Sequence, residues 1–168
     1  MITIIRPLEE KDCGRVLDIY AHYIKTTSYT FEIEVPTLEE FKTRIMSIAN
    51  DFPFFVYEQD GKVLGYCYAS AHNQRQAYRF SVNVSIYVDN AQMTKGIGTK
   101  LYDKLLASLT DKGYYNAFSC ITIPNAPSIS MHEKYDFQEV GRFKNAGYKF
   151  NEWHDILWMQ KELKSVDW

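Results

Sequence analysis

The sequence predicts an α/β protein built on a central mixed sheet of about seven strands, flanked by about four helices. Three observations lead there. Short runs rich in β-branched and aromatic residues alternate with segments of helical period. Asp60-Gly61 sits between two such runs, the signature of an antiparallel hairpin. Phe80 to Ile121 then reads strand–helix–strand, which needs a parallel crossover.

In chain order, Ile2 to Arg6 alternates weakly and is stopped by Pro7, as a short strand would be. Leu8 to Asp12 opens a helix with acids at its positive end, and Cys13, Val16, Leu17, Tyr20, Tyr23 and Ile24 continue it at helical spacing. The stretch from Thr26 to Phe31 breaks that period. Thr37 caps a second helix, with Glu40 completing a capping box, and Leu38, Phe41, Ile45 and Ile48 lie on one side as far as about Ala49. Phe54 to Glu58 and Val63 to Ser70 are the hairpin strands, and Phe80 to Val88 is a third long strand. Ile97, Leu101, Leu105 and Leu109 recur every four residues along a helix that Gly113 ends. Tyr115 to Ile121 is a strand and Asn125 to Tyr135 a short helix. Phe137 to Arg142 and Asp155 to Gln160 are two more strands. The resulting order is βααββ, then βαβα, then ββ.

No linker or repeat divides the 168 residues, so one domain spanning 1–168 is expected. Hydrophobic residues at 46% and charged residues at 24% are ordinary for a soluble globular chain and set aside disorder and coiled coil. A net charge of −2 leaves no excess of cations to neutralise a phosphate backbone, so nucleic acid is not the expected partner. No apolar run is long enough to span a membrane, and the N-terminus has no signal-peptide pattern. Cys13, Cys67 and Cys120 are odd in number and widely spaced, which points to packed thiols in a reducing cytoplasm. His22, His72 and His154 have no metal-ligand spacing, so structural roles and no metal are expected.

The informative stretch is the strand ending at Val88 followed by Lys95-Gly96-Ile97-Gly98-Thr99 at the start of a helix. Glycines there let backbone approach a ligand closely, and a helix entrance presents unpaired N–H groups suited to phosphate. A tight structural turn is the other reading. A dinucleotide fingerprint is excluded because Leu101 stands where its third glycine belongs, and no P-loop pattern occurs.

Val84-Ser85-Ile86-Tyr87-Val88 followed by Met93-Thr94-Lys95-Gly96-Ile97-Gly98 resembles motif A of the GNAT N-acetyltransferase family, whose pattern is Gln/Arg-x-x-Gly-x-Gly/Ala. Both glycines match, and Met93 replaces the first residue. The run from Asn125 through His132-Glu133-Lys134-Tyr135-Asp136-Phe137 is similar to motif B. Thr30-Phe31-Glu32, Arg75-Gln76-Ala77-Tyr78-Arg79-Phe80 and Gly147-Tyr148-Lys149-Phe150 with Trp153-His154-Asp155 resemble its phosphinothricin and methionine sulfoximine acetyltransferase branch. The likeness runs from about Ile4 to Leu163.

That resemblance implies an acetyl-CoA-dependent N-acetyltransferase acting on the α-amine of a small amino acid or analogue. It implies that acetyl-CoA lies where two parallel strands splay apart. Backbone groups at Ile86, Tyr87 and Val88 would pair with the pantetheine arm, and the N–H groups of Thr94, Lys95, Gly96, Ile97, Gly98 and Thr99 would cradle the pyrophosphate. Met93 removes a side-chain donor from that cradle. Asn125 would bond the cofactor arm, cap its helix, or do both.

The chemistry is attack of a neutral amine on a thioester, which needs a base for the amine's proton and a donor for the leaving thiolate. Relatives carry a Glu in the motif A strand; here Asn83 stands in that position and cannot take a proton at neutral pH. His132 is the expected acid–base residue, with a buried structural imidazole as the alternative. Arg75 and Arg79, with Tyr78 between them, would meet the acceptor's anionic group, and Phe31 would wall its pocket. Tyr148 and Lys149 would lie in a loop reaching a neighbouring subunit, and a homodimer is expected. Other readings are an acyl-CoA-binding module with weak or lost catalysis, and a peptide or protein N-terminal acetyltransferase.

Overall fold

The structure is a computed structural model and describes residues 1–92 and 96–166. Met93, Thr94 and Lys95, three of the expected cofactor-binding residues, lie outside the described residues.

Seven strands and four α-helices follow the predicted order. The strands are β1 (Thr3–Pro7), β2 (Phe54–Gln59), β3 (Lys62–Ala71), β4 (Ser81–Val88), β5 (Asn116–Ile123), β6 (Gln138–Lys149) and β7 (Glu152–Glu162). The helices are α1 (Cys13–Thr26), α2 (Leu38–Asp51), α3 (Ile97–Asp111) and α4 (Ala126–Lys134). They share one sheet in the order β1-β2-β3-β4-β5-β7-β6. Every neighbouring pair is antiparallel except β4 and β5. This is the mixed seven-stranded sheet with four helices expected from the sequence.

Each face of the sheet carries its own core. Ile97, Leu101, Leu105 and Leu109 of α3 are all buried against Cys67, Ala69, Val82 and Val84. Each such side chain contributes roughly 1.5–3 kcal/mol. On the other face Val16, Ile19 and Tyr23 of α1 and Phe41 and Ile45 of α2 cover Phe54, Val56 and Tyr66. Thr37 caps α2 as expected: its hydroxyl accepts from the Glu40 N–H, while the Glu40 carboxylate accepts from the Thr37 N–H. Leu38, read as part of the apolar side, is exposed at the first position of that helix. Arg6 clamps Asp12 with two nitrogens at 2.7 and 2.9 Å and also bonds Glu58, which ties β1 to both α1 and β2.

Two readings change. β6 runs on to Lys149, so Gly147-Tyr148-Lys149 belong to a strand and not to a loop; Phe150 and Asn151, both at positive φ, make the turn into β7. Cys13 and Cys67 are buried as read, whereas Cys120 is exposed on β5. Among the described residues no helix is long and apolar enough to cross a membrane, and no group of three or more His, Cys, Asp or Glu could hold a metal ion.

Candidate active site

The parallel pairing of β4 with β5 lasts for three residues, Ser81 with Asn116, Val82 with Ala117 and Asn83 with Phe118. Beyond Asn83 the strands part, β4 held by β3 as far as Val88 and β5 held by β7 as far as Ile123. The wedge between them is a cleft of about 360 Å³. Val84 to Val88 form one wall, Ser119 to Thr122 the other, and α3 and α4 the floor. Backbone groups on the two facing edges have no strand to pair with, which leaves them for a ligand.

The entrance of α3 stands at this cleft. Gly96, at φ +71°, caps the helix in the left-handed region and gives it no side-chain cap. The first N–H groups of the helix are thus left to an external acceptor. Gly98 lines the cleft, and a Cβ there would meet only ordinary contacts, 3.6 Å from the Met131 sulfur and 3.8 Å from Ile86. Packing within the chain does not demand glycine at that position; an approaching ligand would.

Of the expected cofactor residues, Ile86, Tyr87, Val88, Gly96, Gly98, Thr99 and Asn125 line the cleft together. Ile97 turns its side chain into the core and can offer only backbone. The Val88 carbonyl already accepts a hydrogen bond from the Tyr23 hydroxyl. The Asn125 side chain caps α4 by accepting from the Ser128 N–H at 3.3 Å, while the residue faces the cleft, so cap and wall coincide.

His132 lines the same cleft and is 2% exposed. Its Nδ1–H donates to the Ser128 carbonyl at 2.7 Å, and Nε2 therefore accepts from the Tyr102 hydroxyl at 2.5 Å. Burial pushes the imidazole below its usual 6.5, with the Ser128 bond pulling the other way. The phenol of Tyr102 is pushed well above its ordinary value by burial. A neutral ring with both nitrogens committed cannot accept the amine's proton directly. It can hold Tyr102, which also lines the cleft.

Asn83 sits where the cleft closes. Its Oδ1 is 2.8 Å from Nδ1 of His72, the residue after β3. The His72 ring stacks on Phe118 with centroids 4.2 Å apart and meets Trp158 edge-on at 5.9 Å and Tyr78 at 5.8 Å. The sequence offered His72 only as a scattered histidine.

The expected acceptor residues are less gathered. Phe31 lies across Gly147, where an added Cβ would stand 2.3 Å from the ring, so that glycine exists to let the phenyl dock. Thr30 beside it accepts a hydrogen bond at 2.9 Å from the buried ammonium of Lys149, whose charged form is disfavoured by burial. Tyr78 reaches the His72 cluster. Arg75 and Arg79 are exposed; Arg79 bonds the Gln76 carbonyl and lies 4.4 Å over Phe80. None of these four, nor Asn83, is part of the cleft wall itself.

Tyr102, Ser119 and Cys120 complete the walls and were not singled out by sequence. Tyr102 looked like one more residue of an amphipathic helix, and the two β5 residues acquire meaning only from the splay.

Residues 5–158 match the acetyltransferase (GNAT) domain family. The phosphinothricin N-acetyltransferase of Streptomyces viridochromogenes is 33% identical over 95% of this chain and 87% of its own length. The L-methionine sulfoximine/L-methionine sulfone acetyltransferase of Salmonella typhimurium is 28% identical over 95% of this chain and 94% of its own. The crystal structure of a phosphinothricin acetyltransferase from Sinorhizobium meliloti in complex with acetyl-CoA superposes with a TM-score of 0.91. It is 32% identical over 96% of this chain and 89% of that one.

Proposed function

This chain belongs to the GNAT family and is an acetyl-CoA-dependent N-acetyltransferase; from that premise we propose that it acetylates the α-amine of a small amino acid or analogue. Phosphinothricin and methionine sulfoximine are the first candidates, on the strength of what the relatives are named for. The observation that carries the reading is the cleft between β4 and β5, with the uncapped α3 entrance beside it.

Backbone groups of Ile86, Tyr87 and Val88, the last with its carbonyl already taken by Tyr23, and the side of Asn125 would hold the pantetheine arm. The N–H groups at Ile97, Gly98 and Thr99 would take the pyrophosphate, favoured by the helix dipole as well as by hydrogen bonds. The thioester would then lie toward the closed end, near Tyr102 and His132, with Asn83 just outside the cleft wall. The Tyr102 O–H, whose one hydrogen goes to His132 Nε2, would have to turn from that bond to meet the sulfur as it leaves, and His132 holds the hydroxyl in place until then. Asn83 can hold the amine or a water but cannot deprotonate either.

Phe31, Tyr78, Arg75 and Arg79 are the groups for the acceptor, the arginines because a guanidinium fork matches a carboxylate or phosphinate. Exposed Phe143, Tyr148, Phe150 and Trp153 on the β6–β7 hairpin support the expected homodimer. The test is free-thiol release from acetyl-CoA with a panel holding phosphinothricin, methionine sulfoximine, methionine sulfone, common amino acids, a polyamine and a short peptide. Release with a small amino acid analogue is the expected result. Release with the peptide alone would refute it in favour of a peptide acetyltransferase, and acetyl-CoA binding without any release would leave a binding module.

A further inference from the structure

The reaction must move a proton off the amine, and Asn83, where the β4–β5 pairing ends, is an amide that cannot take it. We propose that His72 is the general base of this enzyme and that Asn83 positions it. The inference rests on the acetyl transfer proposed above and adds the group that makes the nucleophile.

The geometry supplies the parts. Asn83 and Phe118 are the last pair joining β4 to β5, so a ring stacked on Phe118 and bonded to Asn83 stands where the two strands begin to part, next to the cleft and outside its lining. An Asn Oδ1 only accepts, so at 2.8 Å the His72 Nδ1 carries the hydrogen. Nε2 is then the unprotonated nitrogen, and among the described residues no hydrogen bond occupies it. The half-buried ring is held by Phe118 on one face, by the edge contact with Trp158 and by Tyr78.

His132 has both nitrogens committed. Glu32 gives one carboxylate oxygen to Arg44 at 2.7 Å, and its other oxygen is buried without a hydrogen-bond partner among the described residues. His154 lies six residues along β7 from Gln160, the residue level with Phe118, or about 20 Å away at strand rise.

The step balances. As the amine nitrogen bonds the thioester carbon, its surplus proton passes to His72 Nε2, directly or through one water. The C–S bond breaks with its electron pair on sulfur. The imidazolium returns its proton to solvent, and the thiolate takes one up.

The test compares wild type with His72→Gln, which keeps an amide beside Asn83 but has no basic nitrogen, and with His72→Phe, which keeps the stack. A His72→Phe/Asn83→Glu double variant places a carboxylate on the strand. Turnover, its pH profile and acetyl-CoA affinity are measured for each. Both single variants should lose about 10²-fold in kcat, the ordinary scale of general-base help. Acetyl-CoA affinity should stay within about twofold, the low-pH limb of the rate should change, and the double variant should recover about tenfold or more. Turnover of His72→Gln within about threefold of wild type would overturn the proposal. So would parallel loss of acetyl-CoA binding and rate without rescue by Asn83→Glu, which would make the ring a packing element. Wild-type protein that acetylates nothing in the panel would instead refute the function from which the proposal starts.

Discussion

The two ends of the site are made of different material. At the α3 entrance the binding groups are backbone: unpaired strand edges, a helix without a side-chain cap, and Gly98 that the chain's own packing does not require. At the closed end they are side chains held by other side chains: Asn83 on His72 and His72 on Phe118. The two histidines repeat the contrast. His132 is buried with both nitrogens spent, while His72 is half-buried with one nitrogen unbonded. A backbone site tolerates sequence change, because any residue offers an N–H. A side-chain site changes its chemistry when one residue changes, and here Asn83 is an amide that cannot take a proton.

The largest expected effect is at the junction of the two ends. His132→Ala should lower kcat by about 10²-fold, because Tyr102 loses its acceptor, while acetyl-CoA affinity stays within a few-fold. An unchanged kcat would mean that the sulfur end needs no placed donor. Next, Gly98→Ala should weaken acetyl-CoA by about tenfold in calorimetry. It should also raise the melting temperature slightly, since alanine is favoured over glycine in a helix by about 0.5–1 kcal/mol. Thr99→Ala, which keeps its N–H, should change affinity less than about twofold; a larger loss there would break the claim that backbone does the binding.

Gly147→Ala should raise the acceptor KM several-fold and leave that of acetyl-CoA alone, because the new methyl displaces Phe31. Equal effects on both substrates would merge the two ends. The smallest effect is on stability. The His132 pKa is depressed on folding, so below about 6.5 the unfolded chain binds a proton that the native ring refuses. Stability should therefore fall as pH drops through that value, level off below the folded pKa, and be insensitive to this ring above it. Urea unfolding at several pH values should show the trend in wild type and lose that component in His132→Gln.

The elements that form the proposed cofactor end were legible in the sequence because they follow local patterns. Hydrophobic spacing located β4 and α3, the glycines marked the entrance, and the rest is backbone. The capping box at Thr37 and the α3 stripe are local patterns read the same way. The acceptor end was not legible. β6 is an edge strand, mostly exposed along its length and interrupted by Asn145 at positive φ, so neither alternation nor burial announced it and Gly147-Tyr148-Lys149 read as a loop. The partnership of His72 with Asn83 depends on the register that pairs Ser70 with Asn83 across β3 and β4, which periodicity does not reveal. His132 was read as the acid–base residue or as a buried structural imidazole, because spacing says nothing about what already occupies each nitrogen.

The most direct measurement is a long-range proton–nitrogen NMR spectrum of the histidine rings at neutral pH, assigned with His72→Gln and His132→Gln. The account predicts both rings protonated at Nδ1, His132 toward Ser128 and His72 toward Asn83, leaving a lone pair on Nε2 of His72. A His72 ring protonated at Nε2 would mean that the Asn83 amide donates to it, and the ring would then have no lone pair to offer the amine.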